Sequence, residues 1–357
     1  MKARCQAELL VYPSKLMMLA SGRTTNLMGM TQELARNDSG WYSTTRMSVV
    51  LFFIDGLGIG ARGSQNPFDG LPDAEPLALF SNEDAPSIHG GIVVPTDARM
   101  GIEGRPQSAS GQTTILTGIN VPQLLGYHKQ GFPNAAMLEI LREHSIFLQL
   151  KRAGVGPVTF ANTYTQLFFE ERPRWVSATT AAMEAAGVPF RQVADLKAGR
   201  AVFHDFTNQL LIERGEDVTL RSAEQAAEVL ASIAAENRFT LYEYFITDKI
   251  GHKQDLQLAR TTLQNLARLI RELLIHVDLN NTSVILTSDH GNIEDLSSRN
   301  HTLNMVPTIV WGQDQNRIAS RIATLADITP AIVDTLTGKP SLKNTDSVEA
   351  GSSESSL

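Results

Sequence analysis

The chain has 357 residues, of which 42% are hydrophobic and 19% are charged, and its 31 basic and 38 acidic side chains give a net charge of −7. This is the composition of an ordinary globular protein, and the acidic balance argues against a nucleic-acid partner. No stretch approaches the roughly 20 apolar residues of a membrane span, so no membrane partner is expected. The single cysteine, Cys5, excludes an internal disulfide framework and favours a cytoplasmic location.

The two ends of the chain differ in composition from the rest. Residues 1–46 are polar, are interrupted by Ser, Gly and Asn, and lack the apolar centre of a signal peptide. We interpret them as a disordered or loosely attached extension, with Met47 at the start of the folded part. Residues 339–357 end in G-S-S-E-S-S-L, which predicts a disordered tail.

The first predicted strand is Ser48–Ile54, a nearly continuous apolar run of the kind that parallel sheets bury. The strand is followed by Asp55 and a glycine-rich segment. An acid at the carboxyl end of a buried strand points into the crevice where α/β sheets bind ligands, and the alternative is an Asp that caps a turn or helix. Residues 61–105 are rich in Pro, Gly and Asp, and they predict a loop at the rim of the site.

A cluster of hydroxyl side chains follows that loop. Residues 107–118 read Q-S-A-S-G-Q-T-T-I-L-T-G and predict a short helix that ends at Gly118. A helix N-terminus offers free N–H groups and the positive end of the helix dipole. Ser108 at such a position is either an N-cap or a nucleophile whose phosphoryl adduct the dipole stabilises.

Residues 123–238 alternate helical segments with short strands and predict a smaller α+β cap domain inserted into the sheet domain. The predicted helices are 135–142, 146–153, 179–186 and 222–237, and the predicted strands are 157–161 and 200–204. Basic side chains here can bind an anionic substrate, although each one alone is more often a solvated surface charge. The substrate-binding candidates are His128, Lys129 and Arg200.

The sheet resumes with a predicted strand at 239–247, which again leads to an acid, Asp248. If the turn that follows is helical, Asp248 and His252 are four residues apart and share a face, so both can reach one metal ion. Leu256–His276 then predicts a long amphipathic helix.

The third predicted strand with an acid just after its carboxyl end is 282–287, which is followed by Asp289 and His290. A further histidine, His301, precedes the apolar run Val306–Trp311. Carboxylate and imidazole at the end of a buried strand are what a metal site on an α/β sheet needs.

Buried strands that each end in Asp and alternate with helices predict an α/β fold with a doubly wound, mainly parallel sheet. The metal-binding catalytic core is expected to comprise 47–122 and 239–338, closed by a helix at 327–336. Three acids in the same structural position make the metal site the favoured interpretation.

With these motifs in place, the sequence resembles the alkaline-phosphatase superfamily, and within it cofactor-independent phosphoglycerate mutase and phosphopentomutase. The matching motifs are D-G-x-G at 55–58, D-x-x-x-H at 248–252, S-D-H-G-N at 288–292 and H-T-x-N-x-V-P at 301–307. Sulfatases and nucleotide pyrophosphatases of the superfamily resemble one another in placing the nucleophile nine residues before the Thr of a T-G pair, which here selects Ser108. The resemblance implies an alkaline-phosphatase-like core with an inserted cap.

The resemblance also implies two divalent ions, Mn²⁺ or Zn²⁺, which suit oxygen and imidazole ligands. The implied ligands are Asp248, His252 and His301 for one ion, and Asp55, Asp289, His290 and Ser108 for the other. The ions would activate the Ser108 hydroxyl, which would become a phosphoserine and pass its phosphate to water or to another substrate hydroxyl. The implied substrate is a small phosphorylated metabolite.

Several alternatives stay open. The mutases read N-S-E-V-G-H around the nucleophile, whereas this chain reads Q-S-A-S-G-Q at 107–112, which leaves room for a non-catalytic metal-binding protein of the same fold. A phosphodiesterase or nucleotide pyrophosphatase is a further alternative, because the sequence does not define which leaving groups the cap admits. A phosphatase and a phosphomutase are not distinguished, and neither is the oligomeric state.

Overall fold

The centre of the fold is a six-stranded, mainly parallel sheet. The computed structural model of the chain describes residues 47–84 and 89–338. The strands are β1 (Ser48–Ile54), β2 (Ile92–Thr96), β3 (Val158–Phe160), β4 (Thr163–Tyr164), β5 (Arg191–Gln192), β6 (Phe239–Tyr244), β7 (Thr282–Ser288) and β8 (Val306–Trp311). The sheet order is β2-β8-β7-β1-β6-β3, in which only the pairs β2–β8 and β7–β8 are antiparallel.

Helices connect the strands and cover the sheet. They are α1 (Ser108–Thr117), α2 (Val121–Leu125), α3 (Ala135–His144), α4 (Ile146–Arg152), α5 (Gln166–Glu170), α6 (Ala178–Ala186), α7 (Val193–Lys197), α8 (Gln209–Glu213), α9 (Ala223–Glu236), α10 (Ile246–Gly251), α11 (Leu256–His276), α12 (Gln315–Ala319) and α13 (Ile328–Thr337), with a 3-10 turn at Leu325–Asp327. Within the described ranges, no helix has both the length and the apolar content needed to cross a membrane.

Side chains of β1 alternate between two covered faces of the sheet. Phe52 and Ile54 share a hydrophobic core with residues of α9 and α11, whereas Leu51 and Phe53 share another with residues of α4, α6 and α13. A strand buried on both sides explains the unbroken apolar run in its sequence. The predicted α/β fold with a doubly wound, mainly parallel sheet is confirmed.

Three segments differ from the prediction. The loop predicted at 61–105 contains β2, whose Pro95 masks the strand pattern but is tolerated because the strand lies at the sheet edge. The strand predicted at 239–247 ends at Tyr244, and α10 begins two residues later. The strand predicted at 200–204 is reduced to an isolated bridge between Asn162 and Val202.

The cap predicted at 123–238 is not confirmed as a separate domain. Its strand β3 pairs with β6 of the central sheet, and its helices α4 and α6 pack in the same core as Phe53 of β1. Only β4 and β5 form a small parallel sheet of their own. The division into a cap and a catalytic core therefore stays a prediction, and the predicted extension (1–46) and tail (339–357) lie outside the described residues.

Helix α1, which begins at Ser108, is buried along its length. The hydroxyls of Thr113 and Thr117 donate to carbonyl groups four residues earlier, which satisfies them away from water. The helix ends at Gly118, as predicted, and the φ of +76° at Gly118 is the left-handed conformation that favours glycine. A Cβ at Gly118 would lie 2.7 Å from Cδ of Pro330, so the end of α1 is in close contact with α13.

Candidate active site

Three acids lie at the carboxyl ends of three neighbouring strands. Asp55 directly follows β1, Asp289 directly follows β7, and Asp248 lies in α10 just beyond β6. Because β7, β1 and β6 are adjacent and parallel, their carboxyl ends meet at one edge of the sheet. The fold therefore brings together acids that are far apart in the sequence.

Histidines complete two groups of potential metal ligands. In each group the ligand atoms lie within 4.8 Å of one another. The groups are Asp248, His252 and His301, and Asp55, Asp289 and His290. They adjoin each other, since the rings of His290 and His301 stack with centroids 3.6 Å apart. These are six of the seven side chains that the resemblance implies as ligands, the seventh being Ser108, and metal binding by them stays a prediction.

Two of the histidines are oriented by backbone carbonyl groups. His252 Nδ1 lies 2.7 Å from the carbonyl oxygen of Arg299, and His301 Nδ1 lies 2.9 Å from that of Pro106, so each Nδ1 carries a proton and donates it. Their Nε2 atoms face Asp248 at 3.3 Å and 3.4 Å. A carbonyl group that holds one ring nitrogen and leaves the other free is the usual setting of a metal-ligating histidine.

Ser108 adjoins the second group. Its Oγ lies 2.9 Å from Nε2 of His290. The same Nε2 lies 3.2 Å from Asp55 Oδ1 and 3.6 Å from Asp289 Oδ2. Because Ser108 is the first residue of α1, its hydroxyl also lies at the positive end of that helix dipole. The side chain expected to be the nucleophile thus contacts one of the residues expected to bind metal, His290.

Negative charge is concentrated and buried at this centre. Burial, followed by the neighbouring Asp55 carboxylate, raises the pKa of Asp289 well above its usual value. Burial alone would lower the pKa of His290, but the carboxylates of Asp289 and Asp55 outweigh it and raise that pKa to about 10. Asp289 and His290 therefore retain protons more strongly than usual, and a divalent cation that binds these side chains would displace the protons.

The donor set fits a divalent cation. Asp55 Oδ1 is buried and accepts no hydrogen bond, although His290 Nε2 lies nearby, and a buried carboxylate oxygen without a hydrogen bond is costly. The other donors are carboxylate oxygens and imidazole nitrogens, the ligands that divalent cations of the first transition row accept.

Gln112 belongs to the candidate site, although it is not among the residues predicted from the sequence. Its Nε2 lies 3.2 Å from both Asp55 Oδ2 and Asp289 Oδ2, so its amide group bridges the two acids of the second group. A signal was present in the sequence, since Gln112 stands where the mutases carry the His of N-S-E-V-G-H. A neutral amide donor at this position holds two carboxylates without cancelling their charge.

Glu294 was also missed, and it connects the loops that carry the ligands. Its buried carboxylate accepts four hydrogen bonds of 2.5–3.0 Å, from the amides of Gly58 and Asn292, the hydroxyl of Thr302 and Nδ2 of Asn304. Glycines make room for it, because a Cβ at Gly58 or Gly291 would lie 2.2 Å from Glu294 Oε1. The loop after β1 and the loop between β7 and β8 are thereby fastened to each other.

The predicted substrate-binding residues have other contacts. His128 Nε2 lies 3.3 Å from a backbone carbonyl oxygen, Lys129 Nζ donates to the carbonyl of the next residue, and Arg200 pairs with Asp195 at 3.0 Å. In the described part of the chain, none of these bonds reaches an expected metal ligand. Lys129 is linked to α1 through its backbone amide, which donates to Ser110 Oγ. Substrate binding by these residues stays a prediction.

Parts of the chain are similar in sequence to known proteins. The family model described as the metalloenzyme superfamily matches residues 170–340. A 2,3-bisphosphoglycerate-independent phosphoglycerate mutase from Pyropia yezoensis is 33% identical over 107 residues, which make up 26% of this chain and 20% of that protein. A phosphopentomutase from Alkaliphilus metalliredigens is 28% identical over 114 residues, 30% of this chain and 29% of that protein. The chain thus resembles the metalloenzyme superfamily and, over part of its length, phosphoglycerate mutase and phosphopentomutase.

The predicted resemblance to phosphoglycerate mutase and phosphopentomutase is thereby confirmed. The matches span less than a third of the length of either relative. Among solved structures, the alkaline phosphatase from the Antarctic bacterium TAB5 aligns with a TM-score of 0.42 and 11% identity, over 82% of this chain and 98% of that chain. The matched family of metalloenzymes and the two ligand groups together indicate that the chain uses a divalent metal ion.

Proposed function

We propose that the protein is a two-metal-dependent phosphotransfer enzyme, a phosphomonoesterase or phosphomutase that acts on a small phosphorylated metabolite. The observation that carries the proposal is the contact of Ser108 with His290, a member of one of two adjoining groups of carboxylates and imidazoles. The names of the two relatives, both mutases of phosphorylated compounds, support it. Mn²⁺ or Zn²⁺ is the proposed ion, because both accept oxygen and imidazole ligands.

Each ligand group would hold one ion. The proposed ligands are Asp248, His252 and His301 for the first ion, and Asp55, Asp289, His290 and Ser108 for the second. When bound, the ions supply positive charge that activates the serine hydroxyl and neutralises charge on the transferring phosphoryl group.

Ser108 is the proposed nucleophile. Its Oγ forms a bond to phosphorus and releases its proton to solvent, while the bond from phosphorus to the substrate's ester oxygen breaks and that oxygen takes up a proton. The positive end of the α1 dipole stabilises the resulting phosphoserine. Water then attacks the phosphoserine in a phosphatase, and a hydroxyl of the substrate attacks it in a mutase.

The first test is turnover of an aryl phosphate, an aryl phosphodiester and an aryl sulfate by metal-stripped protein resupplied with Mn²⁺ or Zn²⁺. We expect metal-dependent cleavage of the phosphomonoester and none of the sulfate. Preferential cleavage of the diester would instead identify a phosphodiesterase or nucleotide pyrophosphatase. No turnover of any probe, together with no phosphate trapped on the protein, would contradict the proposal and leave a metal-binding protein.

The second test locates the phosphate by mass spectrometry after rapid acid quenching. We expect the adduct on Ser108, and we expect Ser108→Ala to lower turnover by about 10³-fold or more, as removal of a nucleophile does. Ser232→Ala, which removes an exposed hydroxyl from α9, is the control and should keep both the adduct and turnover. Undiminished turnover in Ser108→Ala would show that the nucleophile is assigned wrongly.

A further inference from the structure

The loop between α2 and α3 is attached to the start of α1 by two hydrogen bonds. The amide of Ser110 donates to the carbonyl of Lys129 at 3.1 Å, and the amide of Lys129 donates back to Ser110 Oγ at 3.0 Å. We call residues 127–133 the Lys129 loop. Among the described residues, its other polar contact with a different segment is that of His128 Nε2, 3.3 Å from the carbonyl oxygen of Ile102. Ser110 is therefore the main polar attachment of this loop to α1.

The hydroxyl of Ser110 both accepts and donates. It accepts from the amide of Lys129 and donates to the carbonyl of Gln107 at 3.2 Å, with the carbonyl of Lys129 as a longer contact at 3.5 Å. Ser110 is fully buried, so water does not compete for these bonds. The carbonyl of Gln107 also accepts from the amide of Gly111 at 2.9 Å. One buried hydroxyl thus joins the Lys129 loop to the residue that precedes the proposed nucleophile.

These contacts hold the backbone on which Ser108 stands. Gln107 is bound to Ser110, and the carbonyl of Pro106 accepts from His301 Nδ1 at 2.9 Å. The side chain of Gln107 does not cap α1, so the start of the helix lacks the side-chain hydrogen bond that usually fixes it. The position of Ser108 Oγ relative to the ligand groups therefore depends on the contacts of this stretch of backbone.

We infer that Ser110 is a positioning residue for the proposed reaction. By fastening Gln107 and the Lys129 loop to α1, it holds Ser108 Oγ in the place from which it attacks phosphorus. The inference rests on the proposed function and adds a residue that the resemblance does not assign. Misplacement of a reacting atom slows the chemical step, whereas binding of the substrate by other groups persists. Loss of the Ser110 hydroxyl should therefore lower the rate of phosphoserine formation without weakening phosphate binding.

Two measurements on the Mn²⁺-loaded protein separate rate from binding. Rapid acid quenching after mixing with saturating aryl phosphate gives the rate of adduct formation. Calorimetric titration with the matching arylphosphonate, which cannot transfer its phosphoryl group, gives the affinity. We expect Ser110→Ala to slow adduct formation about tenfold and to leave the affinity within about twofold. Thr113→Val removes another fully buried hydroxyl from α1, is the matched control, and should change neither quantity.

A second pair of variants tests the same link from the loop and leaves the buried serine in place. Lys129→Ala removes only the side chain, whereas Lys129→Pro also removes the amide N–H that Ser110 Oγ accepts. We expect Lys129→Pro to form the adduct about tenfold more slowly than Lys129→Ala. Combining Lys129→Pro with Ser110→Ala should slow it by no more than about twofold further, because both changes break one link. Metal content and urea denaturation of each variant distinguish a loss of position from a loss of ions or of the fold.

Four outcomes would overturn the inference. An unchanged rate of adduct formation in Ser110→Ala would refute the positioning role and leave the proposed function standing. Weaker arylphosphonate binding at an unchanged rate would assign Ser110 to substrate binding instead. A loss of about 100-fold in the double variant would show that the two positions act independently. Absence of any adduct in the unmodified protein would overturn the inference and the proposed function together.

Discussion

Amide groups of neighbouring side chains hold the carboxylates of the candidate active site. Gln112 donates to Asp55 and Asp289, and Asn292 Nδ2 donates to Asp248 Oδ1 at 2.6 Å. Neutral donors orient these carboxylates and leave their negative charge available to a cation. The geometry of the proposed ligands is thus supported by residues that would not themselves touch a metal ion.

Replacement of Gln112 tests that support at a single residue. We expect Gln112→Met to lower the unfolding free energy of the EDTA-treated protein by about 1–3 kcal/mol, because two buried carboxylates each lose a donor. Urea denaturation measures the change. Gln123→Met, at an exposed position of α2, is the control and should change stability by less than about 0.5 kcal/mol. Equal stability of both variants would show that the bridging amide contributes nothing.

Glu294 gives a second prediction at the residue scale. In Glu294→Gln an NH₂ group replaces one carboxylate oxygen and faces two donors, so we expect a loss of about 2–4 kcal/mol in unfolding free energy. Urea denaturation again provides the measurement. Glu103→Gln makes the same chemical change at an exposed site and should be close to neutral. A similarly small effect at position 294 would contradict the proposed link between the loops.

The expected ligands could be found from the sequence, but their supports could not. Asp55, Asp248 and Asp289 each follow a recognisable buried strand, so strand patterns alone locate them. Gln112 meets Asp55 across 57 positions of the sequence, and Glu294 meets Gly58 across 236. Such contacts depend on how loops meet in three dimensions, which neither periodicity nor spacing encodes.

At the scale of elements, the end of α1 is fixed by close contact with α13. Gly118 combines a left-handed backbone with a neighbouring proline ring, whereas Gly126 has a similar φ of +75° and nothing within 4 Å of its would-be Cβ. The two glycines therefore separate the cost of the backbone conformation from the cost of a steric collision.

We expect Gly126→Ala to cost about 1 kcal/mol of unfolding free energy, the strain of a left-handed non-glycine residue. Gly118→Ala should cost at least about 1–3 kcal/mol more, because its Cβ would collide with Pro330. Thermal and urea unfolding measure both variants. Equal losses would show that α1 and α13 can move apart without cost, and that the contact does not fix the position of Ser108.

The predicted end of a strand was correct where one residue pattern prevailed. It was wrong where a strand pattern continued into a helix. The apolar runs of β1 and β8 are bounded by clear breaks, and their ends match the prediction. After β6 the aromatic and β-branched run continues through Phe245 and Ile246, although the chain has already turned into α10. Residue propensity favours the longer strand, and the tertiary position of Asp248 favours the helix.

At the scale of the whole molecule, the buried charges make stability depend on pH. The folded-state pKa of His290, about 10, lies above its unfolded value of about 6.5. Its contribution to stability is therefore fully present below about pH 6.5 and is lost as the pH rises toward 10. The raised pKa of Asp289 acts in the same direction, because its folded state also binds more protons than its unfolded state.

We therefore expect the unfolding free energy of the EDTA-treated protein to fall between about pH 6.5 and pH 10, as measured by urea denaturation. Saturation with Mn²⁺ should reduce this slope, because the ion replaces the protons. His290→Asn should reduce it as well. A stability that rises with pH over this range in the metal-free protein would contradict the charge arrangement described above.

The fold class followed from the sequence, but the pairing of β3 with the central sheet did not. Alternating buried strands and helices specify a layered α/β architecture whatever their partners are. A local pattern does not reveal that β3 joins β6 in the central sheet, because strand pairing depends on contacts between distant segments. The pairing of β3 with β6 therefore crosses the predicted boundary between cap and core.

The position of β1 between β6 and β7 has a consequence for the order of folding. The strands that precede Asp248 and Asp289, β6 and β7, follow each other in the sequence. In the sheet they do not pair with each other, because the much earlier strand β1 lies between them and pairs with both. A chain that has not yet inserted β1 has neither a complete sheet nor the second ligand group, since Asp55 arrives with that strand. Tight metal binding would thus report that the most distant pairing in the sheet has already formed.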